Sequence, residues 1–296
     1  MSSVLSSQHS AVQSLNGWLR WAPIGVGLLA LYGPTLWTLG HGLWTQEEHM
    51  HGPIVLAVVI WLFWQSRDVL AHSNAAPRTW LGGVVLSSGL LLYILGRSQD
   101  IILFEVGSLI PVLGGVLLVM VGSRAVWQLK FALGFIVFML PLPGVIVDAW
   151  TGTLKHHVSA IAEYLLYTAG YPIARSGVIL SVGPYQLLVA DACSGLHSLI
   201  SMSAMGLLYI FLMGHKSIVR NAILVACLLP IAFAANVIRV IVLVLVTFHF
   251  GDAAGQGFIH DFSGVFLFTV GLLLLFAIDG ALGRVNGLQK VRQVDV

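Results

Sequence analysis

The chain has 296 residues, of which 58% are hydrophobic and 9% are charged, and its formal net charge is +2. Soluble globular domains carry roughly 25% charged residues, so this composition excludes an ordinary soluble domain and indicates a polytopic membrane protein. The apolar runs are continuous, whereas barrel strands alternate over about 10 residues, so we expect helices. The sequence has no basic patch interleaved with aromatic residues, and nucleic acid is not an expected partner.

Eight apolar stretches are candidate spans, since a membrane helix needs ~20 predominantly apolar residues. The second stretch is short, and the seventh contains Pro230, which we expect to kink it. We therefore predict an all-α polytopic membrane protein with about eight transmembrane helices in a single domain over residues 21–280, flanked by cytoplasmic tails at 1–20 and 281–296. The candidate spans are residues 21–39, 53–64, 80–95, 101–121, 131–150, 196–213, 221–248 and 262–279.

The distribution of Lys and Arg predicts that both termini are cytoplasmic, because basic residues favour the cytoplasmic loops. In this orientation ten basic residues fall in cytoplasmic segments and three in outer segments, and Arg239 lies within a helix. The cytoplasmic set is Arg20, Arg67, Arg78, Arg124, Lys130, Lys216, Arg220, Arg284, Lys290 and Arg292, and the outer set is Arg97, Lys155 and Arg175.

The longest outer segment in this topology covers residues 151–191. Its first part carries apolar side chains at three-to-four spacing, which predicts an amphipathic helix lying in the outer membrane interface. Two short β-branched runs, 178–182 and 185–189, then flank Gly183-Pro184 and predict a small hairpin. We expect this hairpin to deliver Asp191 and Cys193 to the membrane surface.

Residues 189–198 bring an acid, a thiol, a hydroxyl, a glycine and an imidazole together at the start of an apolar helix. A helix N-terminus favours a thiolate, so Cys193 is a candidate nucleophile. Alternatively, Cys193-Ser194-Gly195 are small residues that let helices approach closely. Asp191 could orient a base or a substrate amide, or could cap the helix. The second cysteine, Cys227, lies in an apolar run and is expected to act as a small core residue.

Arg239 is a charged side chain within a candidate span. Inserting such a group costs at least ~2.5–3.5 kcal/mol, which makes a functional role the first hypothesis. It lies toward the outer end of its helix, where it could hold a thiolate, an oxyanion or a substrate carboxylate. The alternative is an arginine that snorkels to the interface. Asn236, one turn earlier, could hydrogen-bond between helices or orient Arg239.

His260 precedes the last candidate span at the outer side and could serve as general base and then general acid, with Asp261 beside it. An interfacial histidine at a helix start is the alternative, and His249 and His197 are rival bases. A further group of acidic and histidine residues in the first outer loop matches no zinc spacing, so neither a metal nor a cofactor is expected. That group is Glu47, Glu48, His49 and His51.

At these motifs the chain resembles the exosortases, membrane transpeptidase-like enzymes of Gram-negative bacteria. The resemblance covers about residues 20–280 and is carried by three motifs in order, with further matches at His51-Gly52-Pro53 and Pro141-Leu142-Pro143. Residues 255–261 look most like the exosortase B subgroup. The three motifs are Ala192-Cys193-Ser194-Gly195-Leu196, Pro230-Ile231-Ala232 leading to Asn236-Val237-Ile238-Arg239, and His260-Asp261 with Gly264.

The resemblance implies a catalytic set of Cys193, Arg239 and His260. From the residues themselves, backbone N–H groups at Ser194 and Gly195, where the helix starts, could stabilise an oxyanion. It also implies a protease or transpeptidase in the bacterial inner membrane, with protein substrates that carry a C-terminal Pro-Glu-Pro sorting signal (PEP-CTERM). The family is associated with exopolysaccharide loci. The acceptor that resolves the thioester, an amine, a hydroxyl or water, stays open.

Other functions use the same residues. A membrane acyltransferase or a plain peptidase would share the nucleophile and differ in its product. A polysaccharide or lipid transporter would use Arg239 to bind an anionic substrate and would need a continuous polar pathway, whereas the inner halves of the candidate spans contain almost no polar residues. A purely structural scaffold leaves Arg239 unexplained.

Overall fold

The computed structural model describes residues 2–46, 49–67, 78–142, 144–188, 195–257 and 262–292. The chain divides into two compact units, Met1–Pro141 and Leu142–Val296, called unit 1 and unit 2 below. The described part is mostly helical and contains one small antiparallel sheet. The predicted class, a helical multi-pass membrane protein, is confirmed.

The described part of unit 1 is built from helices and includes the 3-10 segments Leu43–Thr45 and Ile136–Met139. The first helix begins at Ser2, so residues 2–20 of the predicted N-terminal tail are helical. Pro53 lies in the first turn of the second helix, where its missing N–H costs no hydrogen bond. The helices are α1 (Ser2–His41), α2 (Gly52–Gln65), α3 (Thr79–Ser98), α4 (Ile102–Gly107), α5 (Leu109–Met120), α6 (Ser123–Gln128) and α7 (Lys130–Phe135).

Glycines let α3 and α5 pack with their backbones in contact. A Cβ on Gly89 would lie 2.8 Å from the backbone nitrogen of Val112, and one on Gly115 would lie 2.6 Å from that of Leu86. Helices in membranes associate mainly through such close packing, because burying apolar surface gains little when the surrounding lipid is equally apolar. The two glycines therefore set the distance between α3 and α5.

Unit 2 holds the predicted motif positions. Its helices are α8 (Gly144–Thr168), α9 (Gly195–Met213), α10 (Ile218–Phe250), α11 (Asp252–Gly257) and α12 (Ser263–Arg292), and its strands are β1 (Ile173–Ser176), β2 (Ile179–Val182) and β3 (Tyr185–Leu188). The backbone N–H of Arg220 donates to the Ser217 side chain at the start of α10. Gly251, with φ 90°, ends the helix where other residues would be strained.

The sheet has the order β1-β2-β3, and both strand pairs are antiparallel. The register places Arg175 opposite Leu180, and Leu180 opposite Leu187. One face of the sheet packs with α8 and α10 in the core of unit 2. That core contains Val158, Ala162, Leu166, Ile173, Leu180, Val182, Leu187, Val237, Val240 and Val244. The sheet is therefore anchored to the helix that carries Arg239.

Five helical segments in the described residues are long and apolar enough to cross a membrane. Three shorter apolar helices correspond to the second, fifth and sixth candidate spans, so the count of eight stays a prediction. The five are Trp21–Thr45, Thr79–Ser98, Ile102–Met120, Ile218–Phe250 and Gly264–Arg284, and the shorter ones are Gly52–Gln65, Lys130–Met139 and Leu199–Met213.

The predicted fifth span, 131–150, is wrong as one continuous helix. The helical path ends at Met139, Leu140 is extended with ψ 124°, and a new helix runs from Gly144 to Thr168. Pro141 and Pro143 lack the N–H that a helix interior needs and push the preceding residue out of the helical region. The segment expected to end the fifth span therefore continues into the predicted interfacial helix.

The predicted hairpin is confirmed in β2 and β3, with Gly183 at φ 54° in the turn. The sequence did not reveal β1, which turns the hairpin into a three-stranded sheet. The predicted helix that precedes the hairpin is present as the second part of α8. Its predicted apolar face is only partly right, because Val158 is buried but Ile161, Tyr164 and Leu165 are exposed. The side chains that reach the core are Val158, Ala162 and Leu166. Its position at the membrane interface stays a prediction.

Gly115→Ala is expected to lower the free energy of unfolding by about 1–3 kcal/mol, the usual cost of overpacking. The new methyl group would meet the Leu86 backbone and force α3 and α5 apart. Gly114→Ala is the matched control, because nothing lies within 4 Å of a Cβ at that position. Thermal unfolding in detergent tests this, and equal melting temperatures for the two variants would contradict the close backbone contact.

Candidate functional site

The predicted site residues fall into two groups in the structure. Five of them lie outside the described residues, namely Asp191, Cys193, Ser194, His260 and Asp261. The described helices contain residues that adjoin these five in the sequence. Helix α9 begins at Gly195, directly after Ser194, and α12 begins at Ser263, two residues after Asp261. The Cys motif thus leads directly into one helix of unit 2, and the His motif leads into another.

Arg239 and Asn236 lie on the buried face of α10. Arg239 is 5% exposed and Asn236 is 1% exposed. Residues three apart share a helix face, so the two polar side chains are neighbours along one stripe. The stripe is otherwise apolar between its first turn and Asn236, with Leu224, Leu228 and Ile231 buried on it.

The burial of Arg239 argues against a snorkelling role. A snorkelling arginine keeps its charged head in water or among lipid headgroups, so its side chain is largely exposed. Arg239 instead lies inside unit 2, eleven residues before α10 ends at Phe250. A guanidinium stays charged at all physiological pH values, so a protein that holds one in its interior needs negative or dipolar groups around it.

The short helix α11 is docked on α10 through one glycine. A Cβ on Gly255 would overlap the side-chain oxygen of Thr247 and lie 3.3 Å from its Cβ. Thr247 is fully buried, and its hydroxyl has no hydrogen-bond partner among the described residues. The helix α11 ends at Gly257, three residues before His260 in the sequence.

The rival histidines have other surroundings. His249 is exposed, and its Nε2 lies 3.3 Å from the hydroxyl of Tyr171, with the ring of Phe248 packed beside it. In unit 1, Nε2 of His51 lies 3.0 Å from the carbonyl oxygen of Phe138. The side chain of His197 is outside the described residues. Within the described residues, no group of three or more His, Cys, Asp or Glu side chains is placed to hold a metal ion.

A buried ionic cluster around Asp279 was missed by the sequence analysis. Asp279 is 4% exposed and accepts hydrogen bonds from Tyr209 Oη at 2.8 Å and from Arg220 Nε at 2.7 Å. His215 Nε2 lies 3.1 Å from the same carboxylate. The sequence did contain a signal for this cluster, namely an acidic residue inside the last apolar span. Ionisable groups in spans are rare and costly, so they usually have a partner or a function.

The Asp279 cluster joins α9, α10 and α12 at one end of α10. Arg220 is near the start of α10 and Arg239 is nineteen residues later, which is about 28 Å along the helix axis. The same three helices follow the Cys motif, carry Arg239 and follow the His motif. The carboxylate therefore couples these helices at the end remote from Arg239, and we assign it to support of the scaffold.

Gly255→Ala is expected to loosen α11 from α10, because the added methyl group overlaps the Thr247 side chain. Hydrogen exchange of the amides of residues 252–257 should therefore rise. Gly257→Ala is the matched control, since nothing lies within 4 Å of a Cβ there. Combining Gly255→Ala with Thr247→Ala removes the overlapping atoms and should restore protection, with a coupling of about 0.5–3 kcal/mol. Additive effects of the two substitutions would contradict the proposed contact.

The comparisons with known proteins give one match. The family of transmembrane exosortases matches residues 43–277, a range that includes all three motifs and Asn236. No curated protein and no solved structure is a significant match to the chain.

Proposed function

The chain belongs to the transmembrane exosortase family, and on that premise we propose that it is a cysteine transpeptidase for PEP-CTERM proteins. The family has a general membrane transpeptidase or protease role and acts on protein substrates. In our proposal the substrates are exported proteins with a C-terminal Pro-Glu-Pro signal, a membrane helix and a basic tail. Cleavage occurs at the outer face of the bacterial inner membrane. The resemblance to the exosortase B subgroup belongs to the same proposal.

The observation that carries this proposal is the burial of Arg239 beside Asn236 in α10. An apolar helix does not retain a buried guanidinium without compensation, since removing the charge from water costs several kcal/mol. Acyl transfer creates a negative oxyanion and uses a thiolate, and a fixed positive group stabilises both. The arginine supplies such a group in the unit that also contains the Cys and His motifs.

The proposed reaction has two steps. The Cys193 thiolate attacks the carbonyl carbon of the scissile peptide, and the oxyanion is held by Arg239 or by backbone N–H groups at Ser194 and Gly195. His260 donates a proton to the leaving nitrogen as the C–N bond breaks, which leaves the substrate's N-terminal part as a thioester. An acceptor amine, hydroxyl or water, whose identity stays open, then attacks this thioester and gives a proton to His260, and the C–S bond breaks to release the Cys193 thiolate.

The remaining polar residues have supporting roles in this proposal. Asn236 shares the helix face of Arg239, one turn away, and we assign it to the polar surroundings of the guanidinium. Asp261 adjoins His260 and orients its ring, which sets the tautomer of the imidazole. Asp191 orients a base or a substrate amide, or caps the start of α9.

The proposed orientation places both termini in the cytoplasm. Its support comes from the excess of Lys and Arg in alternate loops. Two of these basic side chains contact exposed tryptophans, as membrane anchors do. Lys130 Nζ lies 3.9 Å from the ring centre of Trp127, and the guanidinium of Arg67 lies 5.3 Å from the ring centre of Trp64. This topology puts Arg239 in the outer half of α10.

A transporter function receives less support from α10. Transport of an anionic substrate needs polar groups along the path, and the buried face between Arg220 and Asn236 is made of apolar side chains. At the start of α10, the Asp279 carboxylate is bonded to Arg220, Tyr209 and His215 of the protein itself. Arg239 therefore fits a site at one end of the helix better than a pathway along it.

Replacing Cys193 by alanine or serine is expected to abolish processing, because neither variant has a thiolate to attack the peptide bond. A tagged secreted reporter with a Pro-Glu-Pro signal, a membrane helix and a basic tail would be followed in cells by gel mobility. Cys227→Ala is the matched control and should process the reporter normally, since Cys227 packs among apolar side chains of α9, α10 and α12.

The abundance of each variant in the membrane would be measured by blotting. Full processing by Cys193→Ala at normal abundance would exclude the cysteine mechanism and would make Arg239 a binding residue of a non-catalytic protein. Loss of processing by Cys227→Ala at normal abundance would make Cys227 a candidate nucleophile and would contradict this account.

A further inference from the structure

The two outer edges of the small sheet differ in their surroundings. At β1, Arg175 Nε donates to Glu163 Oε2 of α8 at 2.8 Å, and the hydroxyl of Ser159 lies 3.4 Å from the carbonyl oxygen of Gly177. At β3, β2 occupies one side, and among the described residues no strand pairs with the other side. Strand β1 is also an edge strand, but these contacts tie it to α8, and we call the outer edge of β3 the open edge.

The register determines which backbone groups point to this open edge. Val182 and Tyr185 flank the two-residue turn, so they exchange both of their hydrogen bonds, and the next such pair is Leu180 with Leu187. The residues between these pairs direct their N–H and C=O groups away from β2. Gln186 and Leu188 therefore present two donors and two acceptors outward, and both side chains are exposed.

The open edge lies next to the candidate nucleophile along the chain. Strand β3 ends at Leu188, five residues before Cys193. Five residues span at most about 18 Å, so the thiol lies no farther than this from Leu188. The core face of β3 packs on the same α10 helix that holds Arg239, since Leu187 belongs to a core cluster with Val237 and Val240.

We propose that the outer edge of β3 binds the substrate by strand addition. The occupant is the segment of the exported protein that precedes its membrane helix, held extended by main-chain hydrogen bonds to Gln186 and Leu188. This inference rests on the proposed function. Main-chain pairing gives affinity without demanding a particular side chain, and every second substrate side chain faces the same side.

The size of the edge favours a tethered peptide over a second copy of the chain. Strand β3 has four residues, far too few to provide the 1,200–2,000 Å² that stable protein–protein interfaces typically bury. A substrate anchored in the same membrane needs little affinity, because the tether raises its effective concentration to about the millimolar range. Weak pairing of two outward-facing residues is sufficient for such a partner.

The first test removes one outward N–H while keeping the β2–β3 ladder. Gln186→Pro deletes this donor, and proline is tolerated on an edge strand when its nitrogen faces outward. Gln186→Ala is the comparator, because it alters the side chain and keeps the N–H. With the full-length protein reconstituted in vesicles with the Pro-Glu-Pro reporter, KM of Gln186→Pro should exceed that of Gln186→Ala by about threefold to tenfold. The value of kcat should be the same for both, and equal KM values would overturn the proposal.

The second test does not depend on how well the proline variant folds. A chain with Cys193→Ala, Cys227→Ala and Gln186→Cys has one thiol, and single cysteines are moved through the reporter residues before its membrane helix. Strand addition predicts disulfide cross-links at alternate reporter positions, because successive side chains of a strand face opposite sides. Cross-links at consecutive positions with equal yield, or none, would overturn it. A cross-linked dimer of the chain would assign the edge to a second copy and would also overturn it.

The two proposals fail in different ways. If the Cys193→Ala single variant still processes the reporter, the proposed function is wrong whatever the cross-links show. If processing depends on Cys193 but neither the KM difference nor the alternating cross-links appear, the transpeptidase proposal stands and strand addition is wrong.

Discussion

The structure of unit 2 depends on keeping one guanidinium inside an apolar protein. Arg239 stays charged and is 5% exposed, so the surrounding helices must compensate its lost hydration. The long helix α10 provides the position, with Asn236 one turn away and apolar side chains on the rest of its buried face. A charge kept at such a cost in one part of a helix is expected where chemistry creates the opposite charge.

The helix α10 has two polar ends with an apolar length between them. At its start, Arg220 and Asp279 form part of a buried cluster that joins α9, α10 and α12. Toward its other end lie Arg239 and the contact of Thr247 with Gly255 on α11. Because the three motifs belong to these elements or adjoin them, the cluster at one end supports the site that we propose at the other. The sheet adds a third element, and β3 leads from the core of unit 2 into the Cys motif.

Hydropathy and charge predicted much of this arrangement, because membrane helices and a buried arginine leave signals within a few turns of sequence. The Gly183-Pro184 turn also revealed the hairpin locally. The break before α8 was missed, since apolar composition on both sides of Pro141 hides the loss of helix hydrogen bonds. Strand β1 was missed because the Arg175–Glu163 ion pair ties it to α8 only in the folded chain. The Asp279 cluster was missed because its partners are 59 to 70 residues away.

The most direct test of the account identifies the residue that carries the acyl group during turnover. Membranes containing the wild-type chain and the Pro-Glu-Pro reporter would be quenched in acid and digested, and the modified peptide would be found by mass spectrometry. The account predicts a hydroxylamine-labile thioester between the N-terminal part of the reporter and Cys193. A labile adduct on another residue, or rapid processing with no labile adduct at any time point, would contradict it.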